Sequence, residues 1–363
     1  MKGGEHLESG HAYFDGAGAS SEGRHSASAA ADIAGPIDPE GLFLKKLGFS
    51  KPFLAVLRQR AAANCTSLEA ELLADGRVDH DAYYGALALV LALPFLASID
   101  PATVADRSVS DSQLLTPRMI RCYLPDRAPA IAIVPVAREI ASGDASICRL
   151  PRLRERVVVT TPSALRDAVW QAGALRRVDQ AAHALFETRP QVSARVVFWG
   201  SQGFLAGLSL ALLAVWLLLA PSLALLSLHI LLTSGYFLAT VLRGLAGHMG
   251  PYLLRPRPLE AHAELPFYTI LVALYQEREV VGQLVDRLNK MNWPRSRLDI
   301  KFLCEEGDHD TIDALRAQTL RPEYEVVLVP DAAPRTKPKA LNYGLTGARG
   351  DYVAVYDAED RPH

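Results

Sequence analysis

Two long apolar runs separated by one proline constrain the fold of this chain more than any other feature of its sequence. The first run, FLAGLSLALLAVWLLLA over residues 204–220, carries no charge, and the second continues beyond Pro221 to Leu242. Each run is long enough for a helix of about 25–30 Å, close to the thickness of a bilayer core. Because neither run has a polar face, a buried hairpin of a soluble protein is the weaker alternative. We therefore expect two transmembrane helices over residues 196–246.

The charges around this hairpin predict its orientation. Arginines flank it on both sides, namely Arg176, Arg177, Arg189 and Arg195 before it and Arg243, Arg255 and Arg257 after it. The turn at Pro221 carries no charge. By the positive-inside rule, both soluble parts lie in the cytoplasm and the turn lies outside, so we expect a multi-pass protein of the inner (cytoplasmic) membrane with lipid around the hairpin. His229, inside the second run, is expected to be uncharged and satisfied by a neighbour.

The composition supports a membrane protein and excludes some partners. Half of the 363 residues are hydrophobic and the mean hydropathy is +0.10, both high for a soluble protein. A net charge of -2 and a pI of about 6.6 give no sign of a nucleic-acid-binding surface. The cysteines have neither metal-ligand nor redox-motif spacing, so we expect reduced thiols at Cys65, Cys122, Cys148 and Cys304. The N-terminal MKGGEHLESGHAYFDG lacks the apolar core of a signal peptide.

The region before the hairpin divides into a tail and a small domain. Residues 1–39 are rich in Gly, Ala, Ser and His and are expected to be disordered. Residues 40–185 are expected to form an α+β domain. Within it, LEAELLADGRVDHDAYYGALALVLALPFL predicts two short helices, the first ended by Gly76 and the second capped by Asp79. The apolar part of this segment is short and broken at Pro94, which favours a buried helix over a membrane span.

Two strands and a closing helix complete this domain. The strands are AIAIVPVA and RVVVTT, and the helix has Pro162 near its start and Gly173 after its end. SLEAELLADGRVDHDAYYGALALVLALPFL and VVVTTPSALRDAVW resemble the N-terminal domain of type II secretion and pilus-assembly ATPases, the MshE N-terminal domain. Some members of that family bind cyclic di-GMP through paired Arg-Leu-Gly motifs. Here Glu69 stands where the glycine belongs and one copy is visible, which favours a structural or interaction role over nucleotide binding.

After a Pro-rich linker over residues 247–264, strands and helices alternate over residues 265–363. The strands are FYTILVAL, DIKFLCEE, YEVVLVP and DYVAVYD, and amphipathic helical segments separate them. This alternation predicts a parallel sheet covered on both faces. In such sheets, ligands bind at the carboxyl ends of the strands.

Ionisable side chains follow every one of these strands. The strand ends carry Tyr275, Gln276 and Glu277; Glu305, Glu306 and Asp308; Asp331; and Asp357, Glu359 and Asp360. We expect them to converge on one crevice. Acids repel a phosphorylated ligand unless Mg²⁺ or Mn²⁺ bridges the two. Lys337 and Lys339 add positive charge at a helix start, where free N–H groups also favour anions, so the set predicts a nucleoside-diphosphate ligand.

Each of these assignments has a simpler alternative. Glu277 and Asp308 could be ordinary helix N-cap acids. Lys337 and Lys339 could be a solvated pair. Residues 357–360 could be a solvated turn, although the apolar strand before them aims them at the shared edge of the sheet.

Four motifs in order, ILVALYQE, FLCEEGD, TKPKALNYGL and VAVYDAED, resemble family 2 glycosyltransferases with the GT-A fold. With the upstream domain and the hairpin, the chain resembles membrane glycosyltransferases of the phage-adsorption protein B and exopolysaccharide synthase type. The expected fold is thus α/β, with an incomplete Rossmann-like GT-A parallel sheet after a transmembrane hairpin and a small α+β domain. The resemblance implies inverting hexosyl transfer from a nucleotide-sugar, a UDP-sugar, to a polysaccharide or other surface glycan, with export partners in the cell envelope.

The resemblance also implies roles for the matching residues. The implied donor-binding residues are Tyr275, Glu277, Glu306, Asp308, Lys339 and Asn342, and the implied ligands of Mg²⁺ or Mn²⁺ are Asp357, Glu359 and Asp360. Tyr275 and Glu277 would line the uridine pocket, and Asp308 with Glu306 would hold the base or ribose. Lys339 and Asn342 would adjoin the diphosphate. The metal motif has a glutamate in its second acidic place, so either Glu359 or Asp360 would reach the metal.

The acceptor side of such an enzyme is expected beyond His363. An inverting transferase needs a general base to deprotonate the acceptor hydroxyl. In the family this base is an Asp in a Thr-Glu-Asp-like motif, followed by a Gln-x-x-Arg-Trp motif and further membrane helices. We therefore assign no catalytic base in this chain and expect it to be the donor half of a C-terminally truncated enzyme. The alternative function is a non-catalytic, membrane-anchored regulatory or assembly partner whose N-terminal domain binds a nucleotide signal or an assembly protein.

Overall fold

The computed structural model describes residues 38–123, 128–143, 155–196, 198, 200–253 and 265–360. The tail expected over residues 1–39 lies outside these residues, apart from its last two. Cys148 and linker residues 254–264 also lie outside them, while residues 247–253 continue the second apolar helix and are not linker.

Four helices open the N-terminal domain: α1 (Pro39–Lys46), α2 (Lys51–Asn64), α3 (Leu68–Ala74) and α4 (His80–Leu91). The two predicted helices are confirmed as α3 and α4. Asp79 caps α4, because its carboxylate accepts a hydrogen bond of 2.9 Å from the Ala82 amide. Gly76 follows α3 with a φ of +80°, a conformation that glycine adopts without strain.

A mixed sheet and four further helices complete this domain. They are β1 (Phe95–Leu96), α5 (Ser112–Leu115), β2 (Met119–Cys122), β3 (Ala130–Ile133), α6 (Ala137–Ala141), β4 (Val157–Thr160), α7 (Pro162–Ala172) and α8 (Ala174–Thr188). The strand order is β1-β4-β3-β2, with only the β2–β3 pair antiparallel. The Thr161 hydroxyl accepts from the Ala164 amide at 3.1 Å and caps α7, which confirms the predicted closing helix.

The two apolar runs form helices α9 (Gly200–Leu219) and α10 (Pro221–Leu253). Residues Gly200–Leu219 and Pro221–Met249 are long and apolar enough to cross a membrane by length and composition, and their side chains are not buried against the rest of the protein. Hydroxyl groups within the helices donate to the carbonyl one turn earlier, from Ser209 to Leu205, from Ser227 to Leu223 and from Thr240 to Tyr236. These polar groups are therefore satisfied without water, as apolar surroundings require.

The C-terminal region is an alternating α/β unit. Its elements are β5 (Tyr268–Leu274), α11 (Val281–Leu288), β6 (Leu298–Glu305), α12 (His309–Arg316), β7 (Tyr324–Val329), α13 (Lys337–Leu345) and β8 (Tyr352–Tyr356). The sheet order is β7-β6-β5-β8 and all three pairs are parallel. The predicted parallel sheet is confirmed, and its alternation of strands and helices is consistent with a Rossmann-like fold.

The strand order creates one topological switch point. The chain steps outward from β5 to β6 and β7 and then returns to place β8 on the other side of β5. The connection after β5 leads toward β6, while β8 lies on the other side of β5, so the strand order reverses between β5 and β8. In open α/β sheets, this is the place where ligands bind.

The two faces of the sheet bury different partners. Ile270 and Val272 of β5 face α11 and α12, while Leu271, between them, packs into the core that the sheet shares with the N-terminal domain. This shared core was not predicted. Its contacts include Trp170 of α7 and Tyr343 of α13, whose ring centroids are 5.1 Å apart. The two soluble parts thus form one continuous packed body around α13.

Candidate functional site

A cavity of about 670 Å³ lies at the switch point. It is lined from β5 and its following loop, from the start of α13, and from the turn after β8. The ionisable and hydroxyl-bearing residues of its lining are Tyr275, Glu277, Glu305, Arg335, Thr336, Lys337, Asp357 and Glu359. Acids and cations from segments far apart in sequence therefore meet at one sheet edge, as the strand pattern predicts.

A second cavity of about 380 Å³ adjoins the first, toward β6 and β7. Its lining includes Gln276, Asp308 and Asp331, and the two cavities share Tyr275, Glu305 and Arg335. We call the two cavities together the cleft. Its lining combines the aromatic ring of Tyr275 with charged side chains of both signs.

A buried ion pair forms the floor of the cleft. The Lys339 ammonium lies 2.9 Å from Oε1 of Glu305 and donates to the carbonyl oxygen of Ala332 at 2.8 Å. Lys339 is 2% exposed and Glu305 is 8% exposed. The lysine therefore ties α13 to the end of β6 and to the loop after β7, and does not project freely toward a ligand.

Asp308 joins the end of β5 to the start of α12. Its carboxylate accepts hydrogen bonds from the amides of Gln276 at 2.6 Å and Thr311 at 3.3 Å. It is the N-cap of α12, which is the simpler alternative for this residue, and it also lines the second cavity. The Thr311 hydroxyl accepts from the Glu277 amide at 3.0 Å, so the loop after β5 is fixed while the Glu277 side chain remains in the first cavity.

Three hydrogen bonds and an ion pair hold the turn after β8 in place. The Asp360 carboxylate accepts from the Asp357 amide at 2.7 Å, and the Arg287 guanidinium donates to the carbonyl oxygens of Glu359 and Asp360 at 3.2 and 3.4 Å. The Asp357 carboxylate forms an ion pair with Lys337. Asp357 therefore has Lys337 as a cationic partner, and both side chains line the first cavity.

Arginine and aspartate form a second charge pair at the mouth of the cleft. Arg335 donates to Asp331 at 2.7 Å, and this hydrogen bond holds the pKa of the Asp331 carboxyl below its usual value. Both residues are exposed, so the pair can open when a charged ligand competes for Arg335.

Burial makes the nearby Cys304 thiol a poor nucleophile. Desolvation raises the pKa of Cys304 to about 12, and the charge of Asp308 adds to the rise. The thiol is therefore protonated at neutral pH. Cys65, Cys122 and Cys304 are all free cysteines, as expected.

The structure brings together some of the predicted donor and metal residues. Tyr275, Glu277, Asp357 and Glu359 line the first cavity, and Tyr275 and Asp308 line the second. Their chemical roles remain predictions.

Four predicted residues lie elsewhere. Glu306 is exposed and lines neither cavity of the cleft. Asn342 donates its amide to the Ala181 carbonyl oxygen at 3.2 Å and so contacts α8 instead of the cleft. Asp360 braces its own turn, and Lys339 lies beneath the cleft floor.

Two residues of the cleft were given no role from the sequence. Glu305 was expected at the crevice as part of a strand end, but the role went to Glu306, because β6 is buried on both faces and no alternation shows which of the two acids faces the site. Arg335 lies two residues before the lysines that were considered, and the charge of this segment was the available signal.

Three curated proteins similar to the chain carry glycosyltransferase or synthase names. The chain is 28% identical over 109 residues to "Probable glycosyltransferase YdaM" of Bacillus subtilis. The aligned residues make up 30% of this chain and 26% of that protein. The chain is 28% identical over 174 residues to the "Beta-monoglucosyldiacylglycerol synthase" of Synechocystis, which covers 45% of this chain and 34% of that protein. The synthase of the same name from Trichormus variabilis is 26% identical over 138 residues, or 37% of this chain and 29% of that protein.

The chain is thus similar, over part of its length, to proteins named as glycosyltransferases or synthases, and this similarity supports a glycosyltransferase family. The chain spans about a quarter to a third of the length of these relatives. No protein-family model matches the chain, and no solved structure matches it.

Proposed function

We propose that the cleft binds the nucleoside diphosphate part of a nucleotide-sugar, a UDP-sugar, and that the chain is the donor-binding part of a family 2 membrane glycosyltransferase. The observation that carries this proposal is the meeting of Glu277, Lys337 and Asp357 at the β5–β8 switch point. The similarity to glycosyltransferases supports the reaction class.

The cleft offers a suitable partner to each part of such a donor. Tyr275, which is half exposed, presents an aromatic ring on which a base can stack, and Glu277 and Asp308 offer acceptors for base or ribose hydroxyl and N–H groups. Lys337 and the positive end of the α13 helix dipole suit the diphosphate. This order would place the sugar near the turn after β8.

The carboxylates of that turn fit a divalent cation bound together with the diphosphate. Among the described residues, no three His, Cys, Asp or Glu side chains form a ready-made metal cluster. Mg²⁺, however, is commonly held by one or two carboxylates plus substrate phosphates. Asp357 would be one ligand, and Glu359 is better placed than Asp360 to be the other because it lines the cavity while Asp360 braces the turn. The metal would neutralise charge on the leaving diphosphate.

The chain's own residues would hold the donor for in-line attack by an acceptor hydroxyl, with inversion at the anomeric carbon. The ion pair of Glu305 and Lys339 would keep the start of α13 fixed against the sheet. Arg335 would exchange Asp331 for a phosphate oxygen when the donor binds. Among the described residues, we assign no general base and no acceptor surface.

The apolar helices α9 and α10 would anchor the enzyme in the inner membrane, with both soluble parts in the cytoplasm. The acceptor would then lie at or near the membrane surface. A surface polysaccharide is the acceptor that the motifs imply. The relatives from Synechocystis and Trichormus variabilis are named as monoglucosyldiacylglycerol synthases. Their name makes a lipid the second candidate acceptor.

The direct test is calorimetric binding of UDP to the detergent-solubilised chain, with and without Mn²⁺. We expect weak UDP binding that strengthens with Mn²⁺, and loss of this strengthening in Asp357→Asn. Asp351→Asn is the matched control, because Asp351 lies at the opposite end of β8 and accepts from the Phe267 amide. The control should bind UDP as the unchanged chain does.

A chain that binds no UDP under either condition would contradict the proposal and favour the non-catalytic partner. If Mn²⁺ strengthened UDP binding equally in Asp357→Asn and in the unchanged chain, only the assignment of Asp357 as a metal ligand would be wrong. Where a longer protein contains this chain, UDP release by that protein with a diacylglycerol acceptor in vesicles, compared with a glycan acceptor, would separate the two acceptor classes.

A further inference from the structure

The N-terminal domain contacts the helix that begins at the cleft. Trp170 of α7 packs its ring against Tyr343 of α13, and the Ala181 carbonyl of α8 accepts a hydrogen bond from Asn342. Gly347, just after α13, lies directly under the Trp170 ring, where a Cβ would approach Cζ2 to 2.4 Å. The contact thus covers both the middle and the end of α13.

The N-terminal side of this contact is rigidly held. The Trp170 indole N–H donates to Oε1 of Glu325 on β7 at 2.9 Å. The Arg177 guanidinium lies 5.2 Å from the Trp170 ring centroid and donates to the Trp170 carbonyl oxygen at 2.7 Å. Arg177 is 2% exposed and forms an ion pair with Asp111 at 2.6 Å. Trp170 therefore has little freedom to follow a movement of α13.

The other side of α13 is also closely packed. A Cβ on Gly344 would approach the Leu303 side chain of β6 to 2.5 Å. The helix is therefore held between β6 and the α7–α8 pair, with a glycine at each close approach. Its first turn carries Lys337 and Ala340 into the cleft lining. A shift of α13 by a fraction of an ångström would move these residues relative to β5 and β8.

We propose that helices α7 and α8 position α13, so that the N-terminal domain sets the geometry of the phosphate side of the cleft. Trp170, Asn342 and Gly347 are positioning residues in this inference, and none of them lines the cleft. The inference rests on the proposed function, because it names what the N-terminal domain does for the same site. Helix α8 also directly precedes, in sequence, the turn at Pro190–Val192 and the apolar helix α9.

The test introduces a methyl group at Gly347 and follows both α13 and the ligand. Gly347→Ala forces α13 and Trp170 apart, whereas the control Gly282→Ala on α11 meets Gln318 at an ordinary 3.9 Å. In Gly347→Ala we expect faster amide hydrogen exchange in α13 but not in α12. UDP affinity should fall by about 2- to 30-fold, the range for residues that couple to a site without touching the ligand. Gly282→Ala should change neither quantity.

A second variant protects the test against misfolding. Asn342 is exposed, so Asn342→Ala should fold and show the same two changes to a smaller degree. Unchanged α13 exchange, or faster exchange with unchanged UDP affinity, would overturn the inference. Failure of the unmodified chain to bind UDP would instead overturn the proposed function, and it would be seen before any variant is compared.

Discussion

The ammonium group of Lys339 and the carboxylate of Glu305 form a buried ion pair, 2.9 Å apart, directly beneath the cleft. The motif resemblance assigns Lys339 to the diphosphate. Lys339 is buried, however, and it also donates a hydrogen bond to the Ala332 carbonyl oxygen. Its contacts are therefore structural. The exposed cations at the cleft are Lys337 and Arg335.

Replacing Lys339 should therefore reduce stability first. Lys339→Met leaves Glu305 buried without a partner, and breaking such a pair costs about 3–5 kcal/mol of unfolding free energy. The double variant Lys339→Met with Glu305→Gln should recover much of this loss, because no unpaired charge remains. Denaturant unfolding of the detergent-solubilised protein measures both. If Lys339→Met unfolded like the unchanged protein but bound UDP more weakly, Lys339 would be a ligand-binding residue and not a structural one.

Replacing Lys337 should have the opposite signature. Its side chain is 42% exposed and its ion pair with Asp357 is solvated, so Lys337→Ala should change the unfolding free energy by about 0.5 kcal/mol or less. UDP affinity should fall by about tenfold, as expected for one charge-assisted hydrogen bond. Calorimetry in the presence of Mn²⁺ gives the affinity. Full affinity in this variant would exclude Lys337 as a phosphate ligand.

Local patterns predicted most of the elements of the fold. The alternation of apolar strands and amphipathic helices correctly predicts β5 to β8, and the cap at Asp79 and the break at Gly76 correctly divide α3 from α4. These features depend on residues close in sequence. The order of the strands does not, because the return of β8 to the far side of β5 is decided by packing over the whole sheet.

The errors in the candidate site have the same origin. Asn342 looks like a cleft residue until α8, more than 150 residues earlier, is seen to supply its partner at Ala181. Glu305 and Glu306 cannot be told apart by pattern in a strand buried on both faces. Long-range contacts thus decide which of several polar residues in a motif faces the ligand.

The orientation of the hairpin is testable apart from any chemistry. Of the flanking arginines, Arg177 is buried in the N-terminal domain and cannot contribute surface charge, which leaves Arg189, Arg195 and Arg243 nearest the apolar helices. We expect reporter fusions at Lys45 and Lys290 to report the cytoplasm and a fusion at Pro221 to report the outside. A cytoplasmic signal at Pro221 would show that the helices do not span the membrane as a hairpin.

The last prediction concerns Glu69, a buried acid in helix α3. Its carboxylate is buried and accepts hydrogen bonds from the Tyr83 hydroxyl at 2.8 Å and the Ala137 amide at 2.9 Å, so it connects α3, α4 and α6. Its own amide donates to the carboxylate of Glu40 at 2.8 Å. Burial raises the pKa of Glu69 from 4.5 to about 7, and the charge of Glu40 adds to the rise, while the two hydrogen bonds and the more distant Arg118 oppose it.

The sign of the pH dependence follows from this raised pKa. The folded protein binds the proton of Glu69 more tightly than the unfolded chain does, so the stabilisation is complete below about pH 4.5 and is lost as the pH rises toward 7. Glu69→Gln cannot lose a proton. We therefore expect this variant to gain about 2–3 kcal/mol relative to the unchanged protein between pH 5 and pH 8. Tyr83→Phe removes a hydrogen bond to the charged form and should move the loss to higher pH. Unfolding curves at several pH values decide, and a constant difference between Glu69→Gln and the unchanged protein would show that Glu69 does not titrate in this range.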